Sequence, residues 1–144
     1  MIDEIVSFTD GASRGNPGHA SIGILLLDKS GHVIAQEHRY LGIATNNEAE
    51  YRALILALEM ALARQAKAVR CFMDSELVQR QLIGQYKVKS EKMAELHGQV
   101  KNLASRFESV TFSHVRREHP NQKIADALAN KALDERSKKG GENG

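Results

Sequence analysis

The sequence of 144 residues contains one cysteine, two prolines and no tryptophan. Because Cys71 is alone, it cannot form an intramolecular disulfide or supply a site of several thiolates. This excludes disulfide-rich scaffolds and multi-cysteine zinc modules. No segment reaches the roughly 18 uninterrupted apolar residues that a membrane span needs. The first four residues (MIDE) lack the basic and apolar regions of a secretory signal, so we expect a cytoplasmic protein that does not associate with a membrane.

The composition is that of an ordinary globular domain. Hydrophobic residues make up 42% of the chain and charged residues 26%, and a chain of this length is expected to fold as one domain. We expect that domain to cover residues 1–139. Glycine is frequent in residues 140–144, which are expected to form a flexible C-terminal tail. We further expect a monomer with no obligate protein partner.

Charge is unevenly distributed, although the net charge is only +2. Residues 1–66 contain five Lys or Arg and eight Asp or Glu, a balance of −3, whereas residues 67–144 contain fifteen and ten, a balance of +5. A basic half suits a polyanionic partner such as a nucleic acid. Ordinary solvated helix faces give the same imbalance, so charge alone leaves both interpretations open.

The periodicity of apolar residues predicts nine elements of secondary structure. Three strands joined by short turns come first, the first of them ending before a glycine-rich turn that begins at Asp10, and helices separate the later strands. The expected strands cover residues 5–9, 20–27, 32–41, 68–73 and 109–115, and the expected helices cover residues 47–66, 74–83, 91–106 and 122–137. We therefore predict an α/β fold, a five-stranded mixed sheet with helices on both faces, in the order βββαβααβα.

Two carboxylates stand at positions where the pattern calls for an apolar side chain. Alternation places Asp10 on the apolar face of the first strand, and helical periodicity places Glu50 near the centre of the apolar stripe of the first helix. Glu48 falls on the opposite side of that helix and fits a capping box with Thr45. An unpaired buried charge is costly, so Asp10 and Glu50 are candidate functional residues. A turn at Asp10 and a helix cap at Glu50 are the structural alternatives.

Two further carboxylates follow. Asp74 ends the short apolar strand, where sheets that carry helices place active groups, although it fits a helix N-cap equally well. Asp126 lies at the edge of the apolar stripe of the last helix, where a solvated carboxylate is the ordinary alternative. Four carboxylates that converge over one sheet need counter-ions, and carboxylate oxygens suit a hard cation such as Mg²⁺. Two such ions can activate a water molecule and stabilise a leaving oxygen in phosphodiester cleavage.

Four segments, taken in order, resemble the motifs of the ribonuclease HI family. They are residues 9–18 (TDGASRGNPG), residues 45–51 (TNNEAEY), residues 74–75 (DS) and residues 124–129 (IADALA). The resemblance implies a ribonuclease H-like fold and hydrolysis of the RNA strand of RNA/DNA hybrids. It also implies Mg²⁺ as the cofactor, with Mn²⁺ as the alternative and two ions present when substrate is bound. The metal-binding catalytic residues that it implies are Asp10, Glu50, Asp74 and Asp126.

The same resemblance assigns substrate contacts. Gly11, Ser13, Asn16, Asn46 and Asn47 match positions near the motifs that contact the hybrid, including the 2′-hydroxyls of its RNA strand. Short polar side chains and backbone groups beside a glycine are able to approach a 2′-hydroxyl closely. Turn and cap chemistry is the alternative for the asparagines.

The sequence departs from the family in two places. The well-known bacterial enzymes carry a basic, tryptophan-containing protrusion that grips the DNA strand, whereas this chain has only a short basic connection over residues 84–92, which resembles the subgroup without the protrusion. Lys87 and Lys89 are candidates for its role. The catalytic histidine of the family has no secure match among Arg116, Arg117 and His119, and we favour Arg117 as the catalytic residue of this loop.

Two other functions use the same fold. A catalytically idle nucleic-acid-binding module is disfavoured because clustered negative charge does not help a protein bind a polyanion. A nuclease directed at DNA is disfavoured by the set of residues that matches contacts to the 2′-hydroxyl.

Overall fold

We analysed the fold on a computed structural model, which describes the backbone of residues 3–143 and the side chains of residues 3–138. The strands are β1 (Glu4–Gly15), β2 (Gly18–Asp28), β3 (Val33–Ala44), β4 (Ala68–Met73) and β5 (Ser109–His114). The helices are α1 (Asn46–Ala63), α2 (Glu76–Leu82), α3 (Glu91–Ala104) and α4 (Pro120–Asn143). The expected tail at residues 140–144 falls outside the described side chains and stays a prediction.

The strands form one mixed sheet in the spatial order β3-β2-β1-β4-β5. Tight turns make β1, β2 and β3 an antiparallel meander, whereas the helical crossovers make β4 and β5 parallel to β1. The predicted fold class and element order are confirmed.

The first strand extends further than expected. It was expected to end before Asp10, but β1 runs on to Gly15, because this polar segment keeps its antiparallel pairing with β2 as far as Gly18. Only Asn16 and Pro17 form the turn. Asp10 therefore lies inside a strand, and a turn does not account for it.

Helices cover both faces of the sheet. On β2, Ile24 and Leu26 belong to the cluster under α1 and α3, and Leu25 packs with Ala125 of α4 on the other side. The fit to α4 is close at Gly23, where a Cβ atom would lie 2.1 Å from the carbonyl oxygen of Ala125. Among the described residues, every helix is too short or too polar to cross a membrane.

Two hydroxyl side chains set the starts of the helices that lead into the site. Thr45 precedes α1, and its Oγ1 accepts a hydrogen bond from the backbone N–H of Glu48 at 3.1 Å. Ser75 precedes α2 and accepts from Val78 N in the same way at 3.3 Å. Because these two residues are the N-caps, the neighbouring carboxylates Glu50 and Asp74 are not used as caps.

Candidate active site

The site begins where the two central parallel strands separate. Pairing between β1 and β4 ends at Thr9 and Met73, so Asp10 and Asp74 are the next residues on adjacent strands. Two residues that follow such a parallel pair lie side by side, and this brings the two carboxyl groups together at the carboxyl end of the sheet.

Glu50 joins them because α1 passes unusually close to β1. A Cβ atom on Gly11 would lie 2.3 Å from the backbone nitrogen of Glu50, so only glycine permits this approach. Glu50 is 4% exposed. Carboxylate oxygens of Asp10, Glu50 and Asp74 lie within 4.8 Å of one another. Helix α1 thus brings the third carboxyl group to the point where β1 separates from β4.

Asp126 reaches the group from the opposite face of the sheet. It lies on α4 and lines the same cleft, which has a volume of about 460 Å³. Its carboxyl group lies next to that of Asp10, and Asp10 in turn lies next to Glu50. Ionised carboxylates this close repel one another, so the site favours a cation.

Burial and mutual repulsion raise the pKa values of all four groups. Burial, followed by the charges of Asp126 and Asp74, raises the pKa of Asp10 from its usual 3.8 to about 8. Burial, followed by the charge of Asp10, raises the pKa of Glu50 well above its usual value. Burial also raises the pKa of Asp74, against the Arg117 charge, and burial with the charge of Asp74 raises that of Asp126.

This arrangement suits a divalent cation. The four groups offer carboxylate oxygens alone, which are the ligands that hard divalent ions prefer. Among the described residues that line the cleft, Arg117 is the one cationic side chain, and it lies at the edge. A divalent ion held by these carboxylates would relieve their mutual repulsion.

The loop between β5 and α4 places its three candidate residues differently. Arg117 lines the cleft, and its Nε lies 3.7 Å from Oδ2 of Asp74 while its side chain is 82% exposed. His119 instead stacks on Phe8 with ring centroids 5.0 Å apart, and its Nδ1 accepts a hydrogen bond from the backbone of Asn121. Arg116 is exposed and does not line the cleft. Of these three residues, only Arg117 lines the cleft.

Only some of the residues expected to contact substrate line the cleft. Gly11, Ser13 and Asn46 line the cleft. Asn16 lies beside them and accepts a hydrogen bond from the backbone N–H of Asn46 at 3.0 Å. Asn47 is half-buried and does not line the cleft.

Sequence reasoning missed three residues of this region. Ser75 and Asn130 line the cleft, and Gln122 is buried behind it. Asn130 lies four residues after Asp126, so helical spacing puts both on one side of α4. Gln122 lies four residues before Asp126 and carries the same signal.

Comparisons with known proteins agree with this geometry. A protein family described as reverse transcriptase-like matches residues 8–132. A ribonuclease HI of Halobacterium salinarum is 40% identical over 129 residues, which are 90% of this chain, and a bifunctional protein of Mycobacterium tuberculosis is 41% identical over 133 residues, which are 91%. The chain spans 64% of the halobacterial relative and 36% of the mycobacterial one.

A solved structure extends the comparison to a complex. LC11-RNase H1, determined in complex with an RNA/DNA hybrid, superposes with a TM-score of 0.84 at 38% identity. The match covers 91% of this chain and 97% of that one. The similarity therefore extends over nearly the whole chain.

Proposed function

The chain belongs to the ribonuclease H family, and from this membership we propose that it is an endonuclease that hydrolyses the RNA strand of RNA/DNA hybrids. The observation that carries the proposal is the convergence of Asp10, Glu50 and Asp74, whose carboxylate oxygens lie within 4.8 Å of one another, with Asp126 beside them. Such a cluster of buried and half-buried acids suits divalent-ion catalysis and is a poor surface for simple binding of a polyanion.

We propose Mg²⁺ as the cofactor, with Mn²⁺ as the alternative and two ions present when hybrid is bound. Such ions supply an activated water molecule and stabilise the leaving oxygen of the cleaved phosphodiester. Asp10, Glu50, Asp74 and Asp126 would hold them. Asp10 and Glu50 are only 8% and 4% exposed, so solvent screens their attraction for a cation less than it would at the surface.

The cleft also offers groups that suit an RNA strand. Gly11 lines the cleft beside Asp10, and Ser13 and Asn46 add short polar groups at the same wall. These are able to meet a 2′-hydroxyl, which both donates and accepts hydrogen bonds and is absent from DNA. Asn16 supports this wall through its bond to Asn46, and Asn47 follows on α1.

Arg117 is proposed to assist the chemistry at the edge of the cleft. Its guanidinium is free to leave Asp74, because the contact is long and the side chain is exposed. It would neutralise charge that develops on the phosphate.

The basic connection after α2 is proposed to bind the DNA strand. Leu77, Tyr86, Lys87 and Lys89 line an open groove, and Tyr86 carries the guanidinium of Arg80 over its ring at 5.3 Å. An aromatic ring and two lysines suit a nucleic-acid backbone and its sugars.

Salt dependence tests that groove. Replacing Lys87 and Lys89 together by alanine is expected to raise KM and to reduce the slope of log affinity against log salt by about two, with kcat little changed. A matched control replaces Lys123 and Lys131, which are not among the residues that line the cleft or the groove. If both double variants lose the same hybrid affinity, the effect comes from net charge and not from the groove.

The proposed activity is tested with end-labelled RNA/DNA hybrid, duplex RNA and duplex DNA, each with and without Mg²⁺. We expect cleavage of the RNA strand of the hybrid only, and only with the ion. Binding of hybrid without cleavage would point to an idle module of this fold, and equal cleavage of duplex DNA would point to a DNA-directed nuclease. The monomeric state and the cytoplasmic location stay predictions.

A further inference from the structure

Gln122 is a long polar side chain that is completely buried at the start of α4. Its exposed fraction is 0%, whereas glutamine is ordinarily found at the surface. It lies behind the carboxylate cluster, one helical turn before Asp126, and does not line the cleft. A buried amide in this place needs a reason, because its donors and acceptor must find partners there.

Its amide donates to two acceptors that belong to the site. Nε2 lies 2.9 Å from the backbone carbonyl oxygen of Thr9 and 3.4 Å from Oδ1 of Asp126. Because both partners are acceptors, the chemistry fixes which end of the amide faces them. The reversed orientation would put an oxygen against two oxygens.

The two bonds connect the elements that carry repelling charges. Thr9 immediately precedes Asp10 on β1, and Asp126 projects from the next turn of α4 toward Asp10. Ionised carboxylates in contact push these elements apart. The Gln122 amide resists that separation, because it ties α4 to the residue next to Asp10 and holds one oxygen of Asp126.

We propose that Gln122 is a positioning residue that holds Asp126 beside Asp10 in the geometry that captures a divalent cation. The inference rests on the proposed function for its catalytic consequence, although cation binding itself is measured without substrate. Partners in the outer shell of a metal site orient the ligands in this way, and their loss typically costs about 10- to 100-fold in metal affinity or activity.

An unpartnered oxygen strengthens the assignment. Within the described part of the chain, Oε1 of Gln122 is buried without a hydrogen-bond partner. A side chain that only filled this space would serve better as methionine or leucine, which carry no unsatisfied acceptor. The donor end of the amide is therefore the part that the site uses.

The test compares Gln122→Met with Gln79→Met. Methionine keeps the length of the side chain and removes the amide. Gln79 is the matched control, because its Nε2 also donates to a backbone carbonyl, that of Phe112 at 3.0 Å, at a place outside the cleft. Each variant loses one amide-to-carbonyl hydrogen bond, buried at Gln122 and partly buried at Gln79, and Gln122→Met also loses the bond to Asp126, so both are expected to melt at a lower temperature than the parent chain.

Mn²⁺ binding to the hybrid-free protein separates the two variants. Calorimetric titration with Mn²⁺ is expected to show an affinity about 10-fold weaker for Gln122→Met and unchanged for Gln79→Met. In the cleavage assay, Gln122→Met is expected to require a correspondingly higher Mn²⁺ concentration for half-maximal rate while KM for hybrid stays the same. An unchanged Mn²⁺ affinity for Gln122→Met, or an equal loss in the control, overturns the proposal.

A second variant covers the case in which Gln122→Met does not fold. Gln122→Asn removes one methylene and withdraws the amide from Thr9, so its Mn²⁺ affinity should fall in the same direction, and binding equal to that of the parent chain overturns the proposal. Failure of the proposed function is recognised separately. If the parent chain does not cleave hybrid but Gln122→Met still loses Mn²⁺ affinity, the positioning role stands and the nuclease assignment fails.

Discussion

Replacing Asp10 with asparagine is expected to stabilise the metal-free protein at alkaline pH. Asp10 is 8% exposed, and its pKa is raised from 3.8 to about 8 by burial and by Asp126 and Asp74. Well below pH 3.8 this group is neutral in both the folded and the unfolded chain. As the pH rises toward 8, the unfolded chain ionises it and the folded chain does not, so the folded state loses stability across that range.

The size of the effect follows from the pKa difference. The interval from 3.8 to about 8 is about four units at about 1.4 kcal/mol each, which sets a ceiling of about 6 kcal/mol above pH 8. Asparagine carries no charge to bury, but the repulsion between the remaining carboxylates persists. We therefore expect about half of the ceiling, about 3 kcal/mol, which for a chain of this length raises Tm by roughly 10 °C.

Thermal unfolding in excess chelator, followed from pH 4.5 to 9, measures the difference. The Tm of the parent chain should fall relative to that of Asp10→Asn as the pH rises, with a small gap at pH 4.5 and the full gap at pH 8.5. Adding Mg²⁺ at pH 8.5 should narrow the gap, because only the parent chain binds the ion well. Parallel Tm curves for the two proteins across this pH range would refute the reasoning.

Three further predictions concern Glu50 on α1, Arg117 in the loop before α4, and Gly11. Glu50→Gln should lower kcat by more than about 100-fold. Glu48→Gln, which loses only a 3.9 Å contact to a lysine, should change activity little and stability by less than about 1 kcal/mol, and the reverse ranking would contradict the geometry of α1. Arg117→Ala should lower kcat by about 10-fold or more at saturating hybrid, while the affinity for Mn²⁺ stays the same. A change in KM alone would show that Arg117 only binds the substrate phosphate. Gly11→Ala should cost more than about 2 kcal/mol in urea unfolding, because its Cβ meets α1 backbone at 2.3 Å, whereas Gly98→Ala, with open space around it, should stabilise by about 0.5–1 kcal/mol. Equal effects of the two glycine substitutions would contradict that contact.

The fold could be predicted because local signals and topology agree. The apolar run of residues 68–73 gave the bounds of β4 without error, and the short turns before it required an antiparallel meander. The prediction of strand bounds from the sequence was wrong where polar residues take part in strand pairing. Residues 10–15 have the composition of a turn but continue β1, since the partner strand β2 supplies hydrogen bonds that composition does not reveal.

Only some of the site residues could be predicted from the sequence, for a related reason. Asp10 and Glu50 could be identified because each interrupts an apolar pattern. Asn130 and Gln122 interrupt nothing, and their closeness to Asp126 becomes visible only when α4 is docked on the sheet. Their four-residue spacing from Asp126 was available, but any helix contains many such spacings, so the signal lacked specificity.

The cost of the carboxylate cluster bears on what the chain does. Four elements bring the acids together: strand β1, the end of β4, helix α1 brought close by Gly11, and helix α4 tied by Gln122. Burial raises the pKa of each of the four acids. A protein that only bound nucleic acid would gain both stability and affinity from asparagine at these positions, because neutral amides neither repel one another nor repel phosphate. Binding of a cation turns this repulsion to advantage. The repulsion between the carboxylates costs the metal-free fold stability, and a bound ion returns that free energy as binding free energy. The stability of the metal-free chain and its affinity for divalent ions should therefore move in opposite directions when any one of these carboxylates is neutralised.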